Sequence, residues 1–260
     1  MEGGRPGILG VRTHPDPDLM APYFAEALAG LREALPGWTV RVNPPEGADA
    51  WALLAPAERP GGIPPETPVV VVNGAFAGWP SIDVDNAGAA AGMTDFLCAR
   101  GHRRIAFVGG KQEMANARER ERGFREALAR RGLTPAGIWD GRFDRASGRS
   151  AMEAWGAGAV RPTAVFAAND HMALGVCEVA RDRGWVVAVA GFDDIPEAAE
   201  AGLTTVRLPV RALTRRAGEW IARWRREGRG AVPDRDVLPT ERVERGSTDF
   251  QPKGWNRREP

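Results

Sequence analysis

Residues 163–175 read TAVFAANDHMALG. The apolar run stops at Asn169 and Asp170 with no Gly or Pro to turn the chain, and helical spacing resumes at once. Two readings fit a buried strand that ends this way. Asn and Asp accept hydrogen bonds from the free N–H groups of a helix's first turn, which makes the pair a cap. In parallel α/β sheets ligands sit beyond the carboxyl ends of strands, which makes it a binding site. This segment supports both, and the choice rests on the rest of the chain.

Working outward, the same unit recurs: a short apolar run, a polar or Gly-rich turn, then a stretch with helical spacing. That alternation is the signature of a parallel α/β sheet. Strands are predicted at GILGV (7–11), WALLA (51–55), PVVVVN (68–73), RIAFVG (104–109), TAVFAA (163–168) and VVAVAGF (186–192). Such near-continuous Val, Ala and Ile runs suit strands covered on both faces. Phe24, Leu28, Leu31 and Leu35 recur at three and four and predict a helix over 19–35. Leu213, Ala217, Trp220, Ile221 and Trp224 predict another over 210–227. Its arginines fall mostly on other faces and read as a solvated surface beside a buried stripe, not as a DNA-binding helix. A third helix, about 87–100, follows the capping residues Asp85 and Asn86 and stops at Gly101. The tail DFQPKGWNRREP (249–260) has no periodicity and is predicted to be mobile.

Composition narrows the function classes. A chain of 260 residues exceeds the usual single-domain length and predicts two lobes. The two cysteines, Cys98 and Cys177, lie in predicted helices, which excludes a disulfide scaffold and suits reduced thiols. MEGGRPG lacks the apolar core of a signal peptide and no apolar run approaches membrane-spanning length, so a cytoplasmic protein is expected. With 35 Lys and Arg against 34 Asp and Glu, the surface as a whole carries no general affinity for nucleic acid. His14, His102 and His171 are far apart and away from any cysteine pair, so no metal is expected. Neither a GxGxxG nor a GxxxxGK[ST] loop occurs, nor a GxSxG elbow, so neither a cofactor nor catalysis is expected.

A series of short blocks then carries more than any one of them. PYFAEALAGLREAL (22–35), VDNAGAAAGMTDFLCARGHRRIAFVGG (84–110), RERGFREAL (120–128) and GRFDRASG (141–148) are followed by RPTAVFAANDHMALGV (161–176), GFDDIP (191–196), LTTVR (203–207) and RGST (245–248). In content and order they resemble the effector-binding core of the lactose repressor (LacI/GalR) family of bacterial transcription regulators. The resemblance implies an α/β fold of two parallel-sheet lobes joined by three crossovers, as in type 1 periplasmic binding proteins. Residues 7–101 plus 208–235 would form one lobe and 102–207 plus 236–248 the other, with 1–6 a hinge remnant. A small ligand would sit in the cleft between the lobes.

The same resemblance implies that both readings of the opening stretch hold. Asn169 would present to the ligand an amide that donates and accepts, while Asp170 caps the following helix. Asp193 would be the ligand-binding carboxylate, with Asp194 stabilising the turn, and Asp193→Ala is expected to abolish effector binding. Arg120 would hold adjacent hydroxyls or a carboxylate with its planar fork. Phe143 and Tyr23 would be aromatic walls for a pyranose or a base, and Phe24 either a third wall or plain core. The implied function is the effector-sensing, homodimerising core of a regulator that answers a sugar, sugar phosphate or nucleobase. Operator DNA would be reached only through a helix-turn-helix domain that this chain, with its first strand at Gly7, is expected to lack. A stand-alone binding protein for a small molecule is the alternative.

Two departures from the family pattern bear on the fold. Between WTVRVN (38–43) and WALLAP (51–56) only PPEGADA remains where a crossover helix is usual, so the strand at 38–43 is expected to be displaced, antiparallel or absent. GWVVAVAGFDD also lacks the usual turn before its strand.

Overall fold

The computed structural model describes residues 7–13, 17–158 and 161–249. The expectations for residues 1–6 and for the tail from 250 onward lie outside the described residues. In chain order the elements are β1 (Ile8–Arg12), α1 (Pro17–Ala34), β2 (Thr39–Val42), β3 (Ala50–Leu54), β4 (Val69–Val72), β5 (Ser81–Val84), α2 (Asn86–Ala99), β6 (Ile105–Gly109) and α3 (Ala115–Ala129). They continue with β7 (Gly137–Asp140), α4 (Arg145–Ala157), β8 (Ala164–Ala167), α5 (Asp170–Asp182), β9 (Ala188–Ala190), α6 (Pro196–Glu200), β10 (Thr205–Arg207), α7 (Val210–Glu227), β11 (Arg235–Leu238) and β12 (Glu241–Val243). The chain forms two compact units and passes from one to the other after Asp85, Leu208 and Pro239. The short stretch Glu113–Asn116 also counts with unit 1.

Unit 1 is built on a parallel six-stranded sheet in the order β11-β5-β4-β3-β1-β2. All residues of β3 and β4 are buried, as their unbroken apolar runs require of strands covered on both faces. The helices α1 and α7 pack together where Gly30 lets the α1 backbone meet the Arg211 carbonyl and Thr214. Trp51, Leu53, Val69 and Val71 form a separate cluster covered by the loop residues Ala48, Ile63, Phe76 and Trp79.

That loop layer answers the first departure. The strand at 39–42 is present and pairs parallel with β1, contrary to expectation, and the short connection reaches β3 without a helix. The geometry allows it because β2 is only four residues long. Four strand residues climb about 13 Å, whereas seven extended residues reach about 23 Å. Asn43 opens the return at φ 46 and its Oδ1 accepts from the Thr13 N–H at 3.1 Å. The second departure is resolved as simply. Gly184, at φ 64, turns the chain after α5, and the Trp185 N–H closes onto the Ala180 carbonyl at 2.7 Å.

Unit 2 carries a parallel four-stranded sheet, β7-β6-β8-β9, and an antiparallel pair, β10 with β12. Isolated bridges Ala190↔Thr204 and Asp193↔Arg207 stitch the two together. Its core stacks Phe107 on Phe124 at 4.9 Å, with Phe166 edge-on to Phe107 at 5.4 Å. Two boundaries differ from the sequence-based division. The helix α2 belongs to unit 2, because Gly123 of α3 lies against the Ala87 backbone and Arg120 bonds Asn86. The strand β11 belongs to unit 1, because its backbone is paired with β5.

Candidate ligand site

From β6 the chain passes by α3 to β7 on one side, then by α4 to β8 on the other. The loops leaving β6 and β8 therefore diverge, and such switch points are where open parallel sheets hold ligands, beyond the carboxyl ends of the strands. Arg120, Phe143, Asn169 and Asp193 are brought together there, all within unit 2.

Arg120 reaches the site from α3 and is only 2% exposed. Its Nε donates to Asn86 Oδ1 at 2.9 Å, and its Nη1 donates to the Ala168 carbonyl at 2.6 Å and to Asp193 Oδ1 at 3.4 Å. The guanidinium also lies over the Phe192 ring at 3.8 Å. The RERGF motif thus has a local physical meaning. Gly123 lets α3 approach α2, Phe124 anchors the helix in the core, and Arg120 is carried to the end of β8. Arg120 is thus a strut that braces the strand end and Asp193.

Of the two polar residues in the opening stretch, Asn169 is the helix cap and Asp170, expected to be it, is not. Asn169 has extended backbone (φ −151) and is the cap of α5, its Oδ1 accepting from the Met172 N–H at 3.0 Å. Its Nδ2 donates to the Phe143 carbonyl at 2.8 Å, so the amide is engaged at both ends. Asp170 is the first residue of the helix and does not cap it. Fully buried, it accepts from the Thr205 hydroxyl at 2.6 Å and from the Ile195 N–H at 3.0 Å. Burial, and then the charge of Asp193, raise its carboxyl well above the ordinary range. Phe143, at φ 68, lies with its ring on Gly110, where a Cβ would overlap the ring.

Asp193 stands at φ 114 with its side chain 23% exposed. Burial pushes its carboxyl up from 3.8 to about 6, against the charge and hydrogen bond of Arg120. Asp194, at φ 60, is clamped by Arg207 Nε at 2.6 Å and Arg245 Nη2 at 2.7 Å, which gives it the turn-stabilising place expected of it.

Tyr23 and Phe24 lie half-buried on α1, in unit 1. Unit 1 also holds a polar strand end that sequence reasoning passed over. Asn73 follows β4 at φ 56, is buried, and its Oδ1 has no partner among the described residues. The signal was available, since PVVVVN ends in Asn as TAVFAAN does. Among the described residues no group of three or more His, Cys, Asp or Glu is placed to hold a metal, and no helix is long and apolar enough to cross a membrane.

A model of the periplasmic binding protein-like domain matches residues 94–248, a span that contains every residue of the unit 2 site but Asn86. The chain belongs to this family. Its relatives are LacI/GalR-type regulators. The HTH-type transcriptional regulator CelR of Thermobifida fusca is 36% identical over 176 residues, covering 64% of this chain and 51% of that protein. The HTH-type transcriptional repressor CytR of Escherichia coli is 34% identical over 146 residues, covering 53% of this chain and 43% of its own length. The chain thus spans about half the length of the curated relatives it matches. Among solved structures, a CelR–cellobiose complex has TM-score 0.80 at 27% identity, covering 92% of this chain and 84% of that one. A probable transcription regulator from Thermus thermophilus has TM-score 0.79 at 26% identity, covering 92% and 96%.

Proposed function

We propose that this chain is the effector-sensing part of a LacI/GalR-type transcription regulator and that its effector is an uncharged sugar or nucleoside. The observation that carries the reading is the Arg120–Asp193 pair. A buried cation braces a carboxylate that remains partly exposed beyond the carboxyl ends of the unit 2 strands. Asp193 then offers acceptor oxygens to hydroxyl or N–H donors, while Arg120 spends its charge inside the protein and is not presented to an anion. A phosphate ester facing Asp193 would meet like charge, so neutral ligands are preferred over phosphorylated ones. Phe143 supplies an aromatic wall. The structural likeness to a regulator in complex with cellobiose supports the same class. In this reading the protein works in the cytoplasm as a homodimer and acts on operator DNA through a helix-turn-helix domain, with no catalytic role.

A thermal melt against cellobiose, glucose, ribose, cytidine and glucose 6-phosphate tests it. A ligand at a hundred times its Kd adds about 2.7 kcal/mol and raises Tm by several degrees. An upward shift with a neutral member of the panel is expected. Silence from every neutral compound, or a response to the phosphate ester alone, would contradict the reading.

Affinity for the neutral ligand should also depend on pH. With a carboxyl near pH 6, Asp193 is about one-tenth ionised at pH 5 and about nine-tenths ionised at pH 7. If the ionised form is the acceptor, the apparent Kd falls about tenfold across that interval, as calorimetric titration would read. A flat profile would exclude the ionised carboxylate as the acceptor. The stability term runs the other way. The folded state binds the Asp193 proton between pH 3.8 and about 6, so this residue's contribution to stability declines as pH rises through that window.

A further inference from the structure

We infer that Asp170 is a positioning residue, which sets the Gly191–Ile195 turn so that Asp193 is held beside Arg120 and presented to the ligand. The inference rests on the reading of Asp193 as the ligand's acceptor. The turn contains two consecutive residues other than glycine at positive φ, Asp193 at 114 and Asp194 at 60. Asp tolerates that region better than most residues but does not prefer it, so something outside the turn must hold it.

Asp170 is placed to do so. Its Oδ2 accepts the Ile195 N–H at 3.0 Å, fixing the end of the turn. Its Oδ1 accepts the Thr205 hydroxyl at 2.6 Å, fixing β10, whose Val206 carbonyl in turn accepts the Asp193 N–H at 2.8 Å. The beginning of the turn is gauged against the same oxygen: a Cβ on Gly191 would overlap Asp170 Oδ1, so the carboxylate fills the space of the missing side chain. Both ends of the turn are thus measured from one buried group on α5. A helix-capping role does not account for that burial, because Asn169 caps α5 and both Asp170 oxygens point to other segments. The charged groups near this carboxylate are Asp193, which repels it, and Arg120, which bonds Asp193 in turn. Asp194 is held from the far side by Arg207 and Arg245, so the turn is gripped on two sides with Asp193 between.

Two variants test this. Asp170→Asn removes an acceptor while keeping the shape, and Thr205→Val keeps every charge while removing the hydroxyl that orients the carboxylate. Amide hydrogen exchange at Ile195 is expected to quicken at least tenfold in Asp170→Asn, measured relative to the amides of β8, which report global opening. Thr205→Val leaves the buried Asp170 Oδ1 without its hydroxyl donor, so the urea midpoint is expected to fall, and the Kd for cellobiose, read well below the transition where the variant is folded, to rise severalfold. Weakened binding by the folded variant is not the signature of a merely structural contact. Unchanged Ile195 exchange in Asp170→Asn, or a loss of protection spread equally over β8, overturns the inference. If the unsubstituted protein does not bind cellobiose, that ligand is ruled out, and the Ile195 exchange alone decides the role of Asp170.

Discussion

Replacing Arg120 by alanine is expected to cost about 3–5 kcal/mol of stability, the range for breaking a buried ion pair from one side. Three acceptors lose a donor at once: Asn86 Oδ1, the Ala168 carbonyl and Asp193 Oδ1. Two of these residues, Asn86 and Ala168, are themselves fully buried, so water cannot replace the guanidinium without opening the site. The Phe192 ring loses the cation that lies over it, and the space of a fully buried side chain is left unfilled. Lysine should not restore the loss, because a single ammonium cannot reproduce a planar group that points one nitrogen at α2 and another at the end of β8. For a domain whose total stability is of order 5–15 kcal/mol, this is a large share. Urea denaturation measures it directly, as a fall in midpoint at unchanged slope. A loss below about 1 kcal/mol would mean that Arg120 is not the strut described above.

What was legible in the sequence follows from which physical signals are local. Strands buried on both faces, such as Val69–Val72 and Ile105–Gly109, announce themselves as unbroken apolar runs. Thr205–Arg207 and Glu241–Val243 do not, because each is three residues long and they pair with each other across a long stretch of chain. The short 43–49 connection departs from the sequence-based expectation for a related reason: the need for a long crossover depends on how far the preceding strand climbs, and β2 climbs little. At the site, the polar strand ends were visible but their division of labour was not. Whether Asn169 or Asp170 caps the helix is decided by backbone angles and by where Thr205 and Ile195 arrive, and those partners are more than twenty residues away. The RERGF motif marks Arg120, yet the burial of its side chain depends on α2 and β8 closing around it, which no pattern within RERGF encodes.

Asp193→Asn should separate binding from folding. Asparagine is the substitution of choice because position 193 has φ 114, a region that Asn and Asp enter more readily than alanine. The amide oxygen can still accept from Arg120 Nη1, so the strut keeps a partner and the fold should stay within about 1 kcal/mol of the parent. Removing the charge also relieves the repulsion that Asp193 exerts on buried Asp170, which works in favour of the variant's stability. The ligand fares differently. Hydrogen bonds to a charged acceptor contribute roughly 1.5–3 kcal/mol each, against about 1 for neutral ones. Losing the charge from two such bonds therefore predicts affinity lower by about one to three orders of magnitude. The pH dependence of binding between 5 and 7 should vanish in the same variant, because the group that titrates near 6 is gone. The two readouts must move together: weakened binding with the pH profile retained would assign the titration to another group, and unchanged affinity would remove Asp193 from the site altogether.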